Sequence, residues 1–217
     1  MTSEHVTRRR FVGMVAGAAA VGAVSTALVR GQTTAGGTVR VRVQTELGDI
    51  VLELDPKRAP GTTANFLRYV DAGHYDGGMF HRTVKPDNQP ESAVKIEVIQ
   101  AGVNPDRAKQ GFAAIPLERT SATGLAHKDG AVSMARGAPD SATSGWFICI
   151  NDQPSLDFGG ARNPDGQGFA AFGRVVSGMD VVRRIQQAPS SADRTSNTEA
   201  QKLTPPIRIS KVSRVTP

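Results

Sequence analysis

"TVRVRVQTELGDIVLELD", residues 38–55, carries two apolar runs on either side of Leu47-Gly48-Asp49. Val39, Val41 and Val43 share one face, and Ile50, Leu52 and Leu54 share another. A period of two marks strands with one buried face, and a glycine turn between two such runs marks a β-hairpin. The next stretch, "PKRAPGTTANFLRYVDAGHY", breaks the alternation. Pro60 suits a helix start, Ala64, Leu67 and Val70 fall on one stripe, and Gly73 suits the stop.

Strands are expected at about 79–84, 95–101, 130–135, 146–150 and 170–176. A second helix is expected over 179–188, "MDVVRRIQQA", closed by Pro189 with Val182 and Ile185 inward. A last strand, "PPIRISKVSRV", alternates Ile207 and Ile209 with charged neighbours. Two hairpin-rich halves with one helix each favour a mainly β fold, a closed antiparallel barrel over an open sheet.

Composition narrows the function. The 217 residues have room for one domain and something extra, and 23 glycines with 13 prolines indicate a turn-rich globular chain. The formal charge of +6 invites a nucleic-acid reading, but Arg8, Arg9, Arg10 and Arg30 stand against Glu4 in residues 1–35. Without them, 22 basic residues face 19 acidic ones, a net +3 with no basic block and no stacking aromatics beside it. Nucleic-acid binding is therefore set aside. Cys149 is the single cysteine, inside the apolar run "WFICIND", so it reads as a small buried hydrophobe without a disulfide partner.

Residues 1–35 read as an address. "TRRRFVG" (7–13) is similar to a twin-arginine export signal, with Arg8-Arg9 as the pair, Phe11 two positions on, and a weakly apolar stretch to Val29. A membrane anchor is the alternative, but the stretch lacks the Leu/Ile run of a spanning helix. Thr33-Thr34-Ala35 is the best cleavage site, so a folded domain over 36–217 is expected to be exported to the periplasm. It would stay tethered to the membrane where the signal is retained.

The chemistry centres on "MFHRTVKPDNQPESAVKIEVIQAG" (79–102). Arg82 sits in one apolar strand and Gln100 in the next, with no nucleophile, metal motif or obvious base nearby. His74, His81 and His127 lack metal-ligand spacing, and no serine sits in a G-x-S-x-G turn. "RNPDGQG" (162–168) looks like an acidic calcium loop, but one aspartate among glycines reads as a plain turn.

Seven blocks in order resemble the cyclophilin family of peptidyl-prolyl cis–trans isomerases: "GDIVLELDPKRAPGTTANFLRYVDAGHYDG", "FHR", "IQAG", "GAVSMAR", "SATSGWFICIND", "LDFGG" and "AFGRVVSGMDVV". The resemblance covers about 38–215 and implies an eight-stranded barrel capped by two helices. It also implies an enzyme without cofactor or metal, since rotating an X–Pro bond transfers neither electrons nor groups. Proline-containing unfolded or flexible polypeptides are the implied partners of a monomer, with no stable membrane association once the signal is gone.

By the same resemblance, Arg82 is the catalytic arginine and Gln100 positions it. Phe147 is the floor of the proline pocket, and Leu156 and Val98 are walls. The backbone of Ala135, Arg136 and Gly137 pairs with the peptide, and Phe169 and His81 also belong to the substrate surface. Strand alternation places Arg82 with Phe80 and Val84 and puts Trp146 and Phe147 on opposite faces, so the resemblance that makes Phe147 the pocket floor implies an inward Trp146.

The chain also departs from the family. Glu97 and Val98 replace a Phe-Met pair, and Glu97 is expected to pair with Arg82 and compete for it. About ten extra residues, "KPDNQPESAV", are expected to form a rim loop able to gate the groove. Gly145 replaces a second glutamine, and Ser155 stands where a tryptophan assists cyclosporin binding, which is expected to be weak. Two other classes stay open: a non-catalytic proline-peptide module or envelope chaperone, and an unrelated exported small-ligand barrel.

Overall fold

The computed structural model describes residues 37–215. The export signal and its cleavage site lie outside the described residues. Strands β1 (Val39–Thr45) and β2 (Gly48–Leu54) form the hairpin, with Val39 opposite Leu54, Val41 opposite Leu52 and Val43 opposite Ile50. Paired residues share a face, so the two apolar sets meet on one inner surface instead of lying on two.

Helix α1 (Pro60–Asp71) follows, with proline in its first turn. It ends at Gly73, whose φ of +66° suits glycine, and the His74 and Gly73 amides return to the Tyr69 and Val70 carbonyls. Its buried arc holds Thr62, Thr63, Phe66, Tyr69 and Val70, while Ala64 is exposed. The aromatic side chains set the buried face because they have the most apolar surface to hide; a methyl group has little.

The remaining strands are β3 (Met79–Val84), β4 (Val98–Gly102), β5 (Ala131–Met134), β6 (Trp146–Cys149), β7 (Ala170–Ser177) and β8 (Lys202–Arg214). One-turn helices α2 (Thr120–Thr123) and α4 (Asn197–Ala200) flank the longer α3 (Met179–Gln187). All neighbouring strands are antiparallel, and the sheet closes in the order β1-β2-β7-β5-β6-β4-β3-β8. Closure removes the free edges that an open sheet would present.

The barrel is filled by Trp146, Phe66, Phe80, Tyr75 and Phe172, all fully buried. Phe66 is the hub: its ring lies 5.3 Å from Tyr75, 5.6 Å from Trp146 and 5.2 Å from Phe172. Val182 and Ile185 of α3 join the same core. Val84, Ile96, Val98, Ala131, Phe147, Cys149 and Leu156 form a second, smaller cluster on the outside of β3, β4, β5 and β6. Among the described residues no helix is long and apolar enough to cross a membrane.

Candidate active site

Register brings the site together. Arg82 on β3 stands opposite Gln100 on β4, and Gln100 stands opposite Phe147 on β6. Residues far apart in the chain thus become lateral neighbours on the barrel's outer face. They line a recess of about 220 Å³ with Ile96, Val98, Ala135, Arg136, Leu156, Arg162, Asn163 and Phe169.

The face of Arg82 is set by a β-bulge. Phe80 pairs with Ala101 and Arg82 with Gln100, so His81 is an extra residue between them. Phe80 therefore points inward, 5.5 Å from the Trp146 ring, while Arg82 faces out with Val84 near it in the smaller cluster's strand. Simple alternation, which put Phe80 and Arg82 on one side, fails here because the bulge turns the strand over. His81 does not line the recess; a Cβ on Gly102 would lie 3.6 Å from its ring. Burial, with a contribution from the Arg82 charge, holds the His81 imidazole below its ordinary range.

Two glutamines clamp the Arg82 guanidinium. Nη1 donates to Gln100 Oε1 at 2.8 Å, while Nε and Nη2 donate to Gln201 Oε1 at 2.8 and 2.5 Å. Gln201 is fully buried, and its amide donates to the Asn88 carbonyl at 3.1 Å. Asn88 in turn donates to the Thr83 carbonyl. Sequence reading missed Gln201: it lies 119 residues from Arg82, in a stretch without a motif. Both acceptors are neutral amides, so they orient the cation without cancelling its charge. Burial and then the like charge of Arg162 pull Arg82 down to about 10, which leaves it protonated at neutral pH.

Glu97 does not compete for Arg82. Its carboxylate accepts from Asn151 Nδ2 at 3.0 Å and Gln186 Nε2 at 2.9 Å. Ile96 and Val98 face the recess, so the residue between them turns the other way. Ile96, not position 97, supplies the missing wall.

Phe147 is only 4 % exposed and forms the apolar floor, with Phe169 against it edge-on at 5.4 Å. Beneath the floor the His127 ring stacks on Phe147 at 6.0 Å. Its Nδ1 lies 2.7 Å from Asp157 Oδ1 and its Nε2 lies 2.9 Å from Ser133 Oγ. His127 and Ser133 are buried and Asp157 is partly exposed, so the imidazole braces the floor from inside and does not itself face a substrate.

Arg136 crosses the Phe169 ring at 5.2 Å and pairs with Asp165 at 2.8 Å. Asp165 also accepts the Gln167 amide, so its carboxylate braces the 162–168 turn. Gly137 does not line the recess, and its N–H donates to Ser141 Oγ at 3.0 Å. That bond occupies the amide expected to meet a peptide. A Cβ on Gly145 would make ordinary contacts with Ala135 and Gln100, so the glycine leaves open space beside Gln100.

The inserted segment is anchored. Gln89, 1 % exposed, donates to the Lys85 and Ile96 carbonyls at 2.8 Å and accepts from the Ile96 amide. Arg162 reaches across from the 162–168 turn to Gln89 Oε1 at 3.1 Å and the Val94 carbonyl at 2.6 Å. These bonds make the segment a fixed wall of the rim and argue against a freely swinging gate. A larger recess, about 620 Å³, lies near β2, β7 and residues 124–131. Paired charges line it: Arg58 with Asp55, and Arg174 with Glu53.

The cyclophilin type peptidyl-prolyl cis–trans isomerase family model matches residues 40–214. Peptidyl-prolyl cis–trans isomerase cyp18 of Streptomyces antibioticus is 37% identical over 155 residues, 71% of this chain and 87% of that protein. An isomerase of Acinetobacter baylyi is 38% identical over 152 residues, 70% and 73% of the two chains. A cyclophilin-type isomerase structure from Cryptosporidium parvum superposes with a TM-score of 0.64 at 22% identity, covering 83% of this chain and 99% of that one. Fold, matched span and these relatives together place the chain in the cyclophilin-type peptidyl-prolyl cis–trans isomerase family.

Proposed function

We propose that this isomerase binds the proline of flexible or unfolded polypeptides on Phe147, between Ile96, Val98, Leu156 and Phe169, and stabilises the twisted X–Pro amide with Arg82. The uncatalysed rotation faces a barrier of roughly 20 kcal/mol because twisting breaks amide conjugation. In the twisted state the prolyl nitrogen regains a lone pair, which a fixed N–H donor bonds more strongly than in the planar ground state. Such differential binding lowers the barrier, by about 1.4 kcal/mol for each tenfold in rate. The observation that carries this reading is the Arg82 guanidinium, held by two neutral amide oxygens at the side of a recess floored by Phe147.

Three of the five donors on the guanidinium meet Gln100 and Gln201, which leaves two for a substrate. A non-catalytic peptide module is less favoured, since Glu97, the residue expected to silence Arg82, is bound elsewhere. The test is proline-limited refolding of a model protein with the wild-type chain and with Arg82→Ala. Acceleration by wild type at catalytic concentrations, lost in the variant, is the expected result; acceleration by both would overturn the role of Arg82.

We also propose that residues 1–35 direct export through the twin-arginine route, on the strength of "TRRRFVG" followed by a weakly apolar stretch. Fusing them to a reporter that is active only after folded export tests this. Transport that survives replacement of both Arg8 and Arg9 by Lys would refute it.

A further inference from the structure

The proline recess has an apolar floor and a cationic wall. Arg82, Arg136 and Arg162 all line it, and no carboxylate does. Arg136 has its counter-ion in Asp165. Arg82 and Arg162 have none within ion-pair distance among the described residues. Arg162 is held as Arg82 is held, by neutral oxygens: the Gln89 side chain and the Val94 carbonyl. Arg162 and Asn163 also line an adjoining recess that contains Glu91, but Glu91 accepts from the Asn197 amide at 2.8 Å. Two fixed, uncompensated cations on one small concave surface repel each other. The field they set up is relieved when an anion enters.

Resting on the reading of this recess as the proline site, we propose that the groove selects proline peptides with an acidic side chain beside the proline, and that Arg162 is the specificity-determining residue. Arg82 is committed to the amide, so Arg162 is the cation free to meet a Glu or Asp side chain. Its position on the turn after Leu156, tied to the rim segment, sets it at the edge of the pocket where a flanking residue would lie. The gain expected is that of a partly exposed ion pair, about twofold to fivefold in kcat/KM.

The test uses the full chain and short peptides with Ala, Glu or Lys immediately before or after proline, with cis–trans exchange followed by NMR. Wild type is expected to process a Glu peptide about twofold to fivefold faster than its Ala counterpart in kcat/KM, and a Lys peptide more slowly. The preference should shrink toward one as salt approaches about 1 M. Arg162→Gln should bring the Glu/Ala ratio to about one, and Arg162→Lys should retain part of it. Asn163→Asp, which adds a carboxylate beside Arg162, should also reduce the ratio and serves if Arg162→Gln does not fold. Equal rates for Glu and Ala peptides in wild type, or an undiminished preference in these charge-altering variants, overturns the proposal while the isomerase reading stands. If no peptide is turned over, the isomerase reading fails. Titration of the same peptides then decides the acidic preference by tighter or equal binding of the Glu form.

Discussion

At the scale of single residues, the site depends on holding one cation still. Gln201 accepts two of the three protein hydrogen bonds made by Arg82 and is itself tied to Asn88. Gln201→Ala leaves the guanidinium held only by Gln100. The expected result is a loss of about tenfold to a hundredfold in kcat with a smaller change in KM, because orientation is lost and the pocket is not. A merely structural role would move the melting temperature without this split. Asp165 offers a pH handle. Its hydrogen bonds from Arg136, with help from the Gln167 amide, lower its pKa from 3.8 to about 2. A carboxylate depressed in the folded protein contributes stability above its ordinary pKa and loses it as pH falls through the folded value. The 162–168 turn should therefore keep its amide chemical shifts down to about pH 4 and release Arg136 as the pH drops from there toward 2. A transition centred near neutral pH would contradict the pairing.

At the scale of elements, two features make the groove. The His81 bulge turns Arg82 outward, and the inserted segment after β3 builds the rim. Gln89 anchors that segment by bonds to Lys85, Ile96 and Arg162. Gln89→Ala strands those buried groups and should cost about 2 kcal/mol or more in stability. Limited proteolysis should then cut within residues 85–95, where the wild-type segment resists. An equally resistant variant would show that the segment is held by something else. Cys149 illustrates a different limit. Burial, with repulsion from nearby aspartates, pushes its thiol far above the ordinary range, so it packs as an apolar side chain in the wall behind the recess.

At the scale of the whole molecule, inner core and outer groove share the same strands. Trp146 and Phe147 are adjacent in β6, one filling the barrel and the other flooring the pocket. Phe66 couples α1 to that core through three aromatic contacts. Phe66→Ala should lower unfolding free energy by about 3–5 kcal/mol, measured by denaturant titration. It should also disorder the groove above it, seen as broadened Phe147 resonances. A loss well under 1 kcal/mol would mean that the barrel is not filled from α1.

Much of this was legible in the linear chain, for a local reason. Hairpins, the proline-started helix with its glycine stop, and the opposite faces of Trp146 and Phe147 all follow from periodicity and turn chemistry, which act over a few residues. Arg82 and Gln100 could be singled out because family-like blocks surround them. What only the tertiary structure decided is long-range. The bulge that parts Phe80 from Arg82 depends on the register with β4, and Ile96 replaces position 97 as a wall because Glu97 finds Asn151 and Gln186. Gln201 reaches Arg82 because β8 closes the barrel beside β3, and Arg162 enters the pocket because it is tied across to Gln89 and Val94 of the inserted segment. Such contacts carry no sequence period. They arise when barrel closure places side chains from distant segments within hydrogen-bonding distance.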